Sequence, residues 1–383
     1  MKIEFLKQKR NGNELMKIVI SGFYGLGNTG DEAILDAMID NLRSSLDDPD
    51  LTVFSLSPNE TATKHSVTSI YRGWRHDFKK KVRALREADL LLSGGGGLLQ
   101  DTYPTRIIFG PLPYYLLIVL LAKLCGTKVM FFSQGIGPVT STYGKLLMRM
   151  FGNLADFITV RDDYSKNYLQ QLGVTRPETI VTSDIVFAYQ GHDDRSCIAS
   201  LPIEENDAII GISVRPWFGE TSYQKEMAIL IDRLIKERGV TPVFIPMEGE
   251  HDASVSRAIQ EQMEHGEQTY ILGTDFTPNQ YLQFMKECSA VIGMRLHSLI
   301  FATLASVPYA GISYDKKVES LTKRTGMWEY STTLDEFTAE DLYPKVIRLF
   351  DDRERLRAAL DVERHSLREA ALENLTLMKK HFV

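Results

Sequence analysis

Short apolar runs alternate with longer segments in which apolar residues recur at helical spacing. In the first half the apolar runs fall at residues 17–21, 52–56, 90–93, 128–133, 157–160 and 180–182. The pattern restarts at residues 209–214, 243–246, 270–272, 291–292 and 309–312. Strand-like runs that alternate with helical segments are typical of parallel sheets flanked by helices. The pattern therefore predicts an α/β protein with two Rossmann-like domains.

A polar, irregular stretch separates the two halves. Residues 188–206 are predicted to be a linker between an N-terminal domain, residues 16–187, and a C-terminal domain, residues 207–334. Residues 335–383 carry charges throughout and show no strand pattern, so we expect C-terminal helices there. Residues 1–15 are polar and basic and lack the apolar core of a secretory signal. We expect them to be a disordered leader or a start-site artefact.

Composition narrows the class of protein. A chain of 383 residues with 44% hydrophobic and 25% charged residues is typical of a soluble protein with two domains. The net charge of −6 argues against general nucleic-acid binding. Cys125, Cys197 and Cys288 are odd in number and far apart. They predict a reduced, cytoplasmic protein with neither a disulfide framework nor a cysteine-based metal site.

Residues 293–298 (GMRLHS) join a buried strand to an apolar helix. Such junctions lie at the carboxyl edge of the sheet, where ligands bind and the helix start offers free N–H groups to an anion. Arg295 and His297 at this place predict an anion site with a proton donor beside it. The alternative is that Arg295 pairs with a carboxylate and His297 caps the helix.

Residues 25–30 (GLGNTG) match the dinucleotide-binding pattern G-x-G-x-x-G. Asp31 and Glu32 follow, however, and would place negative charge where a pyrophosphate should lie. The second strand also ends without the acidic residue that holds a ribose diol. The two carboxylates are explained either as caps of the helix or, together with Asn28, as groups that bind or deprotonate sugar hydroxyls.

Two further strand ends are rich in glycine and small polar residues, at residues 94–101 (GGGGLLQD) and 133–138 (SQGIGP). Glycine allows the backbone to approach a ligand closely, although tight packing would need it as well. Neither loop is followed by the Lys-Ser/Thr pair of a phosphate-binding loop. These strand ends add acceptor-binding candidates: Gly95, Gly96, Asp101 and Gln134.

Five motifs together resemble the polysaccharide pyruvyltransferase family. They are GLGNTGDEAIL at 25–35, GGGGLLQD at 94–101, SQGIGP at 133–138, VRDDYS at 160–165 and GMRLH at 293–297. The resemblance is strongest to the CsaB type, which acts in the assembly of bacterial secondary cell-wall polymers. It implies a GT-B-like fold of two Rossmann-like domains facing each other across a cleft. It also implies phosphoenolpyruvate as donor and a sugar with two suitably placed hydroxyls as acceptor.

For the CsaB type, the resemblance implies β-linked N-acetylmannosamine in a lipid-pyrophosphate-linked disaccharide, ketalised at its fourth and sixth oxygens. The chemistry needs a general acid that protonates the methylene carbon, cations for the phosphate and a group that accepts hydroxyl protons. His297 is the expected acid. Arg295 and the backbone N–H groups from Leu296 onward are expected to bind the donor. The base stays open among Asp31, Glu32 and Asp101.

Other cations lie at strand ends or on the helices that follow. The further donor-binding candidates are Arg161, Arg215, Lys317 and Arg324. Arg161 has the alternative of pairing with Asp162 or Asp163. For Lys317 the alternatives are its neighbour Lys316, or an exposed helix face without a binding role. Asp184 is as well explained as a turn or helix cap.

Two segments bear on membrane contact. Residues 72–86 hold one acid, Asp77, and seven cations: Arg72, Arg75, Lys79, Lys80, Lys81, Arg83 and Arg86. Phe78, Val82 and Leu85 fall at helical spacing, so we expect the cations to form a solvated face of a helix. The alternative is that the cations make peripheral contact with the cytoplasmic membrane or with the acceptor's pyrophosphate. Residues 112–122 are almost wholly apolar but too short to span a bilayer, and they predict a buried core helix.

The leading interpretation is a pyruvyl transferase that needs neither a metal nor another cofactor, with phosphoenolpyruvate and a lipid-linked saccharide as substrates and no nucleic-acid partner. A GT-B glycosyltransferase that uses a sugar nucleotide is the enzymatic alternative. It would need an acid for a ribose diol in the second domain, where Glu319 and Glu329 are the only acids near suitable strand ends. The non-enzymatic alternative is a polysaccharide-binding protein.

Overall fold

The computed structural model describes residues 15–73, 76–101, 110–199, 201–203 and 208–383. The chain forms two compact units. Unit 1 comprises the chain up to Leu26 together with Asp31–Tyr189 and Leu367–Val383. Unit 2 comprises Gly27–Gly30 and Gln190–Ser366. Each unit is built around one parallel sheet with helices between successive strands.

The described strands of unit 1 are β1 (Lys17–Ser21), β2 (Asp50–Ser55), β3 (Thr68–Tyr71), β4 (Leu90–Leu99), β5 (Lys128–Ile136), β6 (Phe157–Val160) and β7 (Thr179–Val181). Its helices are α1 (Thr29–Ser45), α2 (Pro58–His65), α3 (Phe78–Glu87), α4 (Pro111–Leu124), α5 (Thr142–Phe151) and α6 (Asp163–Gln171). The strand order is β3-β2-β1-β4-β5-β6-β7, with parallel pairing throughout.

The described strands of unit 2 are β8 (Ile209–Ser213), β9 (Thr241–Phe244), β10 (Tyr270–Ile271), β11 (Ala290–Gly293), β12 (Tyr309–Ser313) and β13 (Thr332–Thr333). Its helices are α7 (Ser196–Ala199), α8 (Ser222–Arg238), α9 (Gly249–Gln260), α10 (Pro278–Glu287), α11 (Leu296–Leu304), α12 (Lys316–Arg324) and α13 (Ala339–Asp351). The last helix, α14 (Arg353–Phe382), begins in unit 2 and ends in unit 1. The strand order is β10-β9-β8-β11-β12-β13.

Both sheets have the doubly wound arrangement that the alternating pattern predicts. In each, the first strand of the unit pairs on one side with the second strand and on the other with the fourth. The direction of winding therefore reverses between β1 and β4 in unit 1, and between β8 and β11 in unit 2. Ligands of such sheets bind at the carboxyl ends of the strands beside this reversal.

Helix α4 packs on the unit 1 sheet as a core helix. Eight of its fourteen residues are buried, including Leu116, Ile118 and Val119. They join the apolar core formed with β4 and β5. The prediction of a buried core helix at residues 112–122 is therefore confirmed. Among the described residues, every helix is too short or too polar to cross a membrane.

Two of the predicted glycine loops lie within strands. Residues 94–97 belong to β4, and residues 133–136 belong to β5. A register shift between Gly96 and Leu99 marks an irregular ladder with β5. A Cβ at Gly94 would overlap the carbonyl oxygen of Phe132, and one at Gly95 would overlap Ile34. Glycine is needed here because the neighbouring strand and helix approach closely, which a propensity argument against glycine in strands misses.

The division into units differs from the predicted domains at three places. Gly27–Gly30, predicted as part of the N-terminal domain, belong to unit 2. Residues 190–199 belong to unit 2, where the backbone N–H of His192 donates to Asn279 and the thiol of Cys197 contacts the carbonyl of Gln280. The end of α14 belongs to unit 1 because its buried face packs there, and Asn374 hydrogen bonds to Thr182 and Ser183. Residues 1–14 of the predicted leader, and Arg75, lie outside the described residues.

Lys81 does not belong to a solvated face, so that prediction is wrong for this residue. Its ammonium group is buried and donates to the carbonyl oxygens of Tyr71, Gly73 and His76 at 2.8, 2.6 and 2.9 Å. An ammonium group has three protons, and three carbonyls satisfy them. Phe78, which we expected on the buried side of α3, is instead 47% exposed. The hydrophobic pattern of α3 missed this because a lysine fills the core-facing position.

We expect Lys81→Met to destabilise the protein, because the carbonyl groups of the preceding turn lose their shared donor. Buried polar groups left without partners cost about 1–3 kcal/mol. Urea unfolding followed by circular dichroism measures the change. Lys79→Met on the same helix is the matched control, since Lys79 is exposed and its replacement should change the free energy of unfolding by less than about 0.5 kcal/mol. Equal stability of the two variants would contradict this role of Lys81.

Candidate functional site

Three neighbouring strands of unit 2 deliver charged and polar side chains to one edge of the sheet. Arg215 follows β8, Arg295 follows β11, and Tyr314 follows β12. The strands pair side by side in the order β8-β11-β12 and run parallel. The carboxyl ends of β8, β11 and β12 therefore meet at the place where the winding of the sheet reverses. This edge is the candidate site of unit 2.

Arg295 is held in the site by buried ion pairs. Its Nε and Nη2 donate to the two carboxylate oxygens of Asp252, and Nη2 also donates to Glu248. Asp252 is fully buried, and it also accepts from the backbone N–H of Glu248. Burial would lower the pKa of Arg295, but the carboxylate of Asp252 outweighs it and raises the pKa. The alternative that Arg295 pairs with a carboxylate is thus what the structure shows, and these bonds come from Nε and Nη2.

His297 lies in the first turn of α11, directly after Arg295 and Leu296. Arg295 occupies the N-cap position but makes no capping bond with its side chain, and His297 stands inside the helix. The imidazole packs against Gly30, where a Cβ would overlap the ring. Gly30 is part of the short segment Gly27–Gly30, which belongs to unit 2. In this segment the backbone N–H of Thr29 donates to the carbonyl of Met247 at 2.9 Å. The glycine at the end of the first motif thus makes room for the histidine of the last.

Tyr314 contacts the other cations at this edge of the sheet. Arg215 donates from Nη1 to the Tyr314 hydroxyl at 2.9 Å, and its guanidinium carbon lies 5.0 Å from the centre of that ring. The ammonium of Lys317 lies 5.6 Å from the ring centre, and Trp217 packs on the ring at 4.3 Å. Tyr314 was missed by the sequence analysis, although its position directly after a predicted strand was a signal that could have found it.

The cations change the acidity of Tyr314. Burial alone would raise the pKa of its hydroxyl, but the positive charges of Lys317, Arg215 and Arg295 outweigh that effect and hold the pKa below its ordinary value. Two of these cations already have carboxylate partners, so the sheet edge holds charges of both signs. Its guanidinium and ammonium groups can donate charge-assisted hydrogen bonds to an anionic ligand.

The structure separates Lys317 from two other candidate cations. Lys316 is exposed and pairs with Glu319 at 2.7 Å on the outer face of α12. Arg324 contacts Glu363 and Ser366 of α14. Lys317 lies beside Tyr314 and pairs with Asp315 at 3.3 Å. Of these three cations, Lys317 is therefore the one placed among the side chains of the candidate site.

In unit 1, a second group of candidates lies at the corresponding edge, beside β1 and β4. The carboxylate of Asp31 stands next to Gly96, where its Oδ1 would lie 3.1 Å from an added Cβ. Gln134 is buried and donates from Nε2 to the carbonyl of Gly96 at 2.8 Å. Gly95 lies against Ile34 of α1. The structure therefore brings Asp31, Gly95, Gly96 and Gln134 together, with the carboxylate beside buried glycines of β4.

The other acidic candidates of unit 1 have different surroundings. Glu32 accepts from the backbone N–H of Gly25 at 2.8 Å, and burial raises the pKa of its carboxyl group. Asp101 accepts from the backbone and side chains of Thr140 and Ser141. These bonds outweigh the effect of burial and lower the pKa of Asp101. Asp101 therefore orders the start of α5 and is a weaker base than Glu32.

Two predicted residues have structural partners. Arg161 donates from Nη1 to Asp184 at 2.9 Å, lies 3.7 Å from Asp162 and packs over Gly135. Asp184 also caps the turn that follows it, as its alternative interpretation stated. Asn28 accepts from the backbone N–H of Gly30 at 3.0 Å at the start of α1. In the described part of the chain, no group of three or more His, Cys, Asp or Glu side chains is arranged to hold a metal ion.

Comparison of the sequence with profiles of protein families identifies the family of this chain. The sequence profile described as polysaccharide pyruvyl transferase matches residues 28–316, which include the candidate residues of both edges except Lys317. The chain belongs to this family. It is also 22% identical to the amylovoran biosynthesis protein AmsJ of Erwinia amylovora, over 89% of this chain and 94% of that protein. The family resemblance carried by the motifs is thereby confirmed.

Solved structures show the same fold at low sequence identity. A putative UDP-N-acetylglucosamine 2-epimerase of Listeria monocytogenes matches with a TM-score of 0.67 and 13% identity, over 96% of this chain and 97% of that chain. HepE of Anabaena, in complex with UDP and glucose, matches with a TM-score of 0.57 and 15% identity, over 95% and 98%. The predicted GT-B-like α/β fold is confirmed. The family makes this member a transferase that moves a pyruvyl group onto a polysaccharide or sugar acceptor.

We expect Asp252→Asn to destabilise the protein by on the order of 3 kcal/mol, because the guanidinium of Arg295 loses its buried counter-charge. Thermal and urea unfolding measure the effect. Glu250→Gln on the same helix is the control, because its pair with Arg257 is exposed and should contribute less than about 1 kcal/mol. A neutral Asp252→Asn substitution would show that the pair does not hold the site together.

Proposed function

We propose that the protein transfers the pyruvyl group of phosphoenolpyruvate onto two hydroxyls of a sugar as a ketal and releases phosphate. The convergence of Arg215, Arg295 and Lys317 with Tyr314 at one sheet edge carries this proposal. Phosphoenolpyruvate bears a carboxylate and a phosphate, so its site needs several cations and directed hydrogen-bond donors. The edge of unit 2 supplies both at the end where ligands of such sheets bind.

The donor is held by the cations in two groups. Arg215 and Lys317, beside the Tyr314 hydroxyl, suit the phosphate, because they offer separate positive charges around one polar ring. Arg295, with the N–H groups of Leu296 and His297 at the start of α11, suits the carboxylate. The carboxylates of Asp252 and Glu248 keep the Arg295 guanidinium in place before the donor arrives.

His297 acts as the general acid. It gives a proton to the methylene carbon of phosphoenolpyruvate, which leaves an oxocarbenium-like centre at the adjacent carbon. A sugar hydroxyl attacks this centre, and the bond between that carbon and the phosphate oxygen then breaks. The second hydroxyl closes the ketal, and its proton goes to the released phosphate. The position of His297 two residues after Arg295, in the turn that binds the carboxylate, supports this assignment. An anionic donor beside the imidazole favours its protonated form.

The acceptor binds at the edge of unit 1. Asp31, whose carboxylate stands next to Gly96, takes the proton of the attacking hydroxyl. The space beside Gly95 is occupied by Ile34, so Gly95 takes no part. Glu32 is the second candidate base, and its raised pKa favours proton uptake. The four hydrogen bonds to Asp101 argue against Asp101 in this role. Arg161 and Arg324 are not part of this mechanism, because each is paired elsewhere.

For the acceptor itself, we propose β-N-acetylmannosamine, ketalised at its fourth and sixth oxygens in a lipid-pyrophosphate-linked precursor. This assignment rests on the resemblance of the motifs to the CsaB type. AmsJ, to which the chain is similar, is a protein of amylovoran biosynthesis, which favours testing a broader range of acceptors. A soluble set of glycosides with different arrangements of the two hydroxyls therefore belongs in the first experiment.

Purified protein should release phosphate from phosphoenolpyruvate in the presence of a β-N-acetylmannosaminide. The measurements are phosphate colorimetry and the mass of the ketal product. A glycoside blocked at its fourth oxygen is the control, since it cannot close the ring. Added ethylenediaminetetraacetate should leave the rate unchanged if no metal takes part. Turnover of a UDP-sugar, with no release from phosphoenolpyruvate by any acceptor, would favour the glycosyltransferase alternative instead.

His297→Gln should lower turnover by about 10²–10⁴-fold, the range expected for a lost general acid. The affinity for phosphoenolpyruvate should change little, because the cations remain. The wild-type rate should fall as pH rises and the imidazolium loses its proton, and the variant should lack that limb of the pH profile.

Lys317→Met is the matched variant for binding. It should raise the KM for phosphoenolpyruvate while keeping the shape of the pH profile, because it removes a charge but no titrating acid. A His297→Gln enzyme with the wild-type pH profile would remove the histidine from the chemistry and leave the anion site to the cations.

A further inference from the structure

Helix α5 of unit 1 carries large apolar side chains on its outer surface. Tyr143, Leu146 and Met150 are 36%, 53% and 52% exposed. Their spacing of three and four residues places them in one strip along the helix. Single exposed apolar residues are ordinary on a protein surface, but a strip of them on one helix face marks an interaction surface.

The charges beside this strip are all of one sign. Lys145 and Arg149 are exposed and stand one helical turn apart on the flank of the strip. The ten residues of α5 include no acid. A helix with an apolar strip and a cationic flank has the pattern of elements that lie in the interface of an anionic membrane.

The rest of the helix is firmly attached to unit 1. Gly144, Leu147 and Met148 are buried on its inner side. At its start, Ser141 accepts from the backbone N–H of Gly144, and the carboxylate of Asp101 accepts from Ser141 in turn. The apolar strip is therefore presented in a fixed orientation, with no ordering of the helix required on contact.

The basic stretch on α3 is a poorer candidate for this contact. Lys81 is buried, Lys80 pairs with Asp77 at 2.8 Å, and Arg83 pairs with Glu87 at 2.8 Å. Phe78 is the one large apolar side chain that α3 exposes. Helix α4 packs against both α3 and α5. The exposed cations of α3 thus belong to the same layer of helices and can add attraction, but α5 carries the apolar anchor.

We propose that α5 is a membrane-contact helix, which places Tyr143, Leu146 and Met150 among the outer acyl carbons of an anionic bilayer, with Lys145 and Arg149 at the headgroups. Long cationic side chains can reach the headgroups while their stems cover apolar surface. The attraction of each cation to an anionic leaflet acts over about a Debye length, so α5 also draws the protein toward such a surface. This proposal does not depend on the chemical group that the enzyme transfers.

Vesicle co-sedimentation tests the proposal on the full-length protein. We expect binding to vesicles of phosphatidylcholine mixed with phosphatidylglycerol, and much weaker binding to phosphatidylcholine alone. Leu146→Asp combined with Met150→Asp should lower the partition coefficient for the anionic vesicles by about tenfold or more, because two apolar anchors are lost. Lys145→Ser combined with Arg149→Ser should weaken binding to anionic vesicles and reduce its dependence on salt.

The matched control adds the same two negative charges elsewhere. Ile229 on α8 and Val362 on α14 are exposed apolar residues of unit 2, and Ile229→Asp combined with Val362→Asp should bind vesicles nearly as well as the wild type. Circular dichroism verifies that each variant is folded. An equal loss of vesicle binding in the control and in the α5 variant would overturn the proposal. It would also be overturned if the wild type bound to neither kind of vesicle. Phosphate release with a soluble glycoside should stay unchanged in the α5 variant, which separates this result from a failure of the proposed reaction.

Discussion

A buried guanidinium needs a counter-charge, and this requirement organises the candidate donor edge. Arg295 is almost fully buried at the end of β11, and Asp252 and Glu248, at the start of α9, neutralise it. The pair ties the central strand of unit 2 to the helix beside it. It also fixes the first turn of α11, and with it the position of His297. If Arg295 were solvated and mobile, the proposed general acid two residues further on would have no defined position.

The sequence predicted the class of fold well because periodicity reports burial directly. The central strands β1, β6, β8 and β12 are apolar runs buried on both faces, and each was found within one or two residues. The strands β3 and β13 were missed because they are short and lie at or near sheet edges, where half of the side chains face outward. The glycine-rich end of β4 was missed because glycine is required there by the close approach of neighbouring elements. A local sequence pattern does not reveal such an approach.

The candidate site, too, was predicted only in part from the sequence. Arg295 and His297 were found because they stand in a motif at a strand-to-helix junction. The partners Asp252 and Glu248 were not, because they are more than forty residues away in sequence and meet Arg295 only in the fold. Tyr314 lay beside candidates that were named, yet its importance comes from Arg215, which is 99 residues distant. Sequence reasoning finds the cations that stand at strand ends and misses both their distant carboxylate partners and the neutral tyrosine between them.

The placement of Gly27–Gly30 has a consequence for how such enzymes are recombined. These four residues span the end of the loop after β1 and the start of α1, yet they pack as part of unit 2, where Gly30 lies against the ring of His297. The end of α14 shows the reverse arrangement, since it belongs to unit 1 although most of the preceding chain belongs to unit 2. A chimaera made by a single exchange near Tyr189 would therefore pair one parent's histidine with the other parent's glycine loop. A working exchange of unit 1 has to move its three separate segments together: the chain up to Leu26, Asp31–Tyr189 and Leu367–Val383.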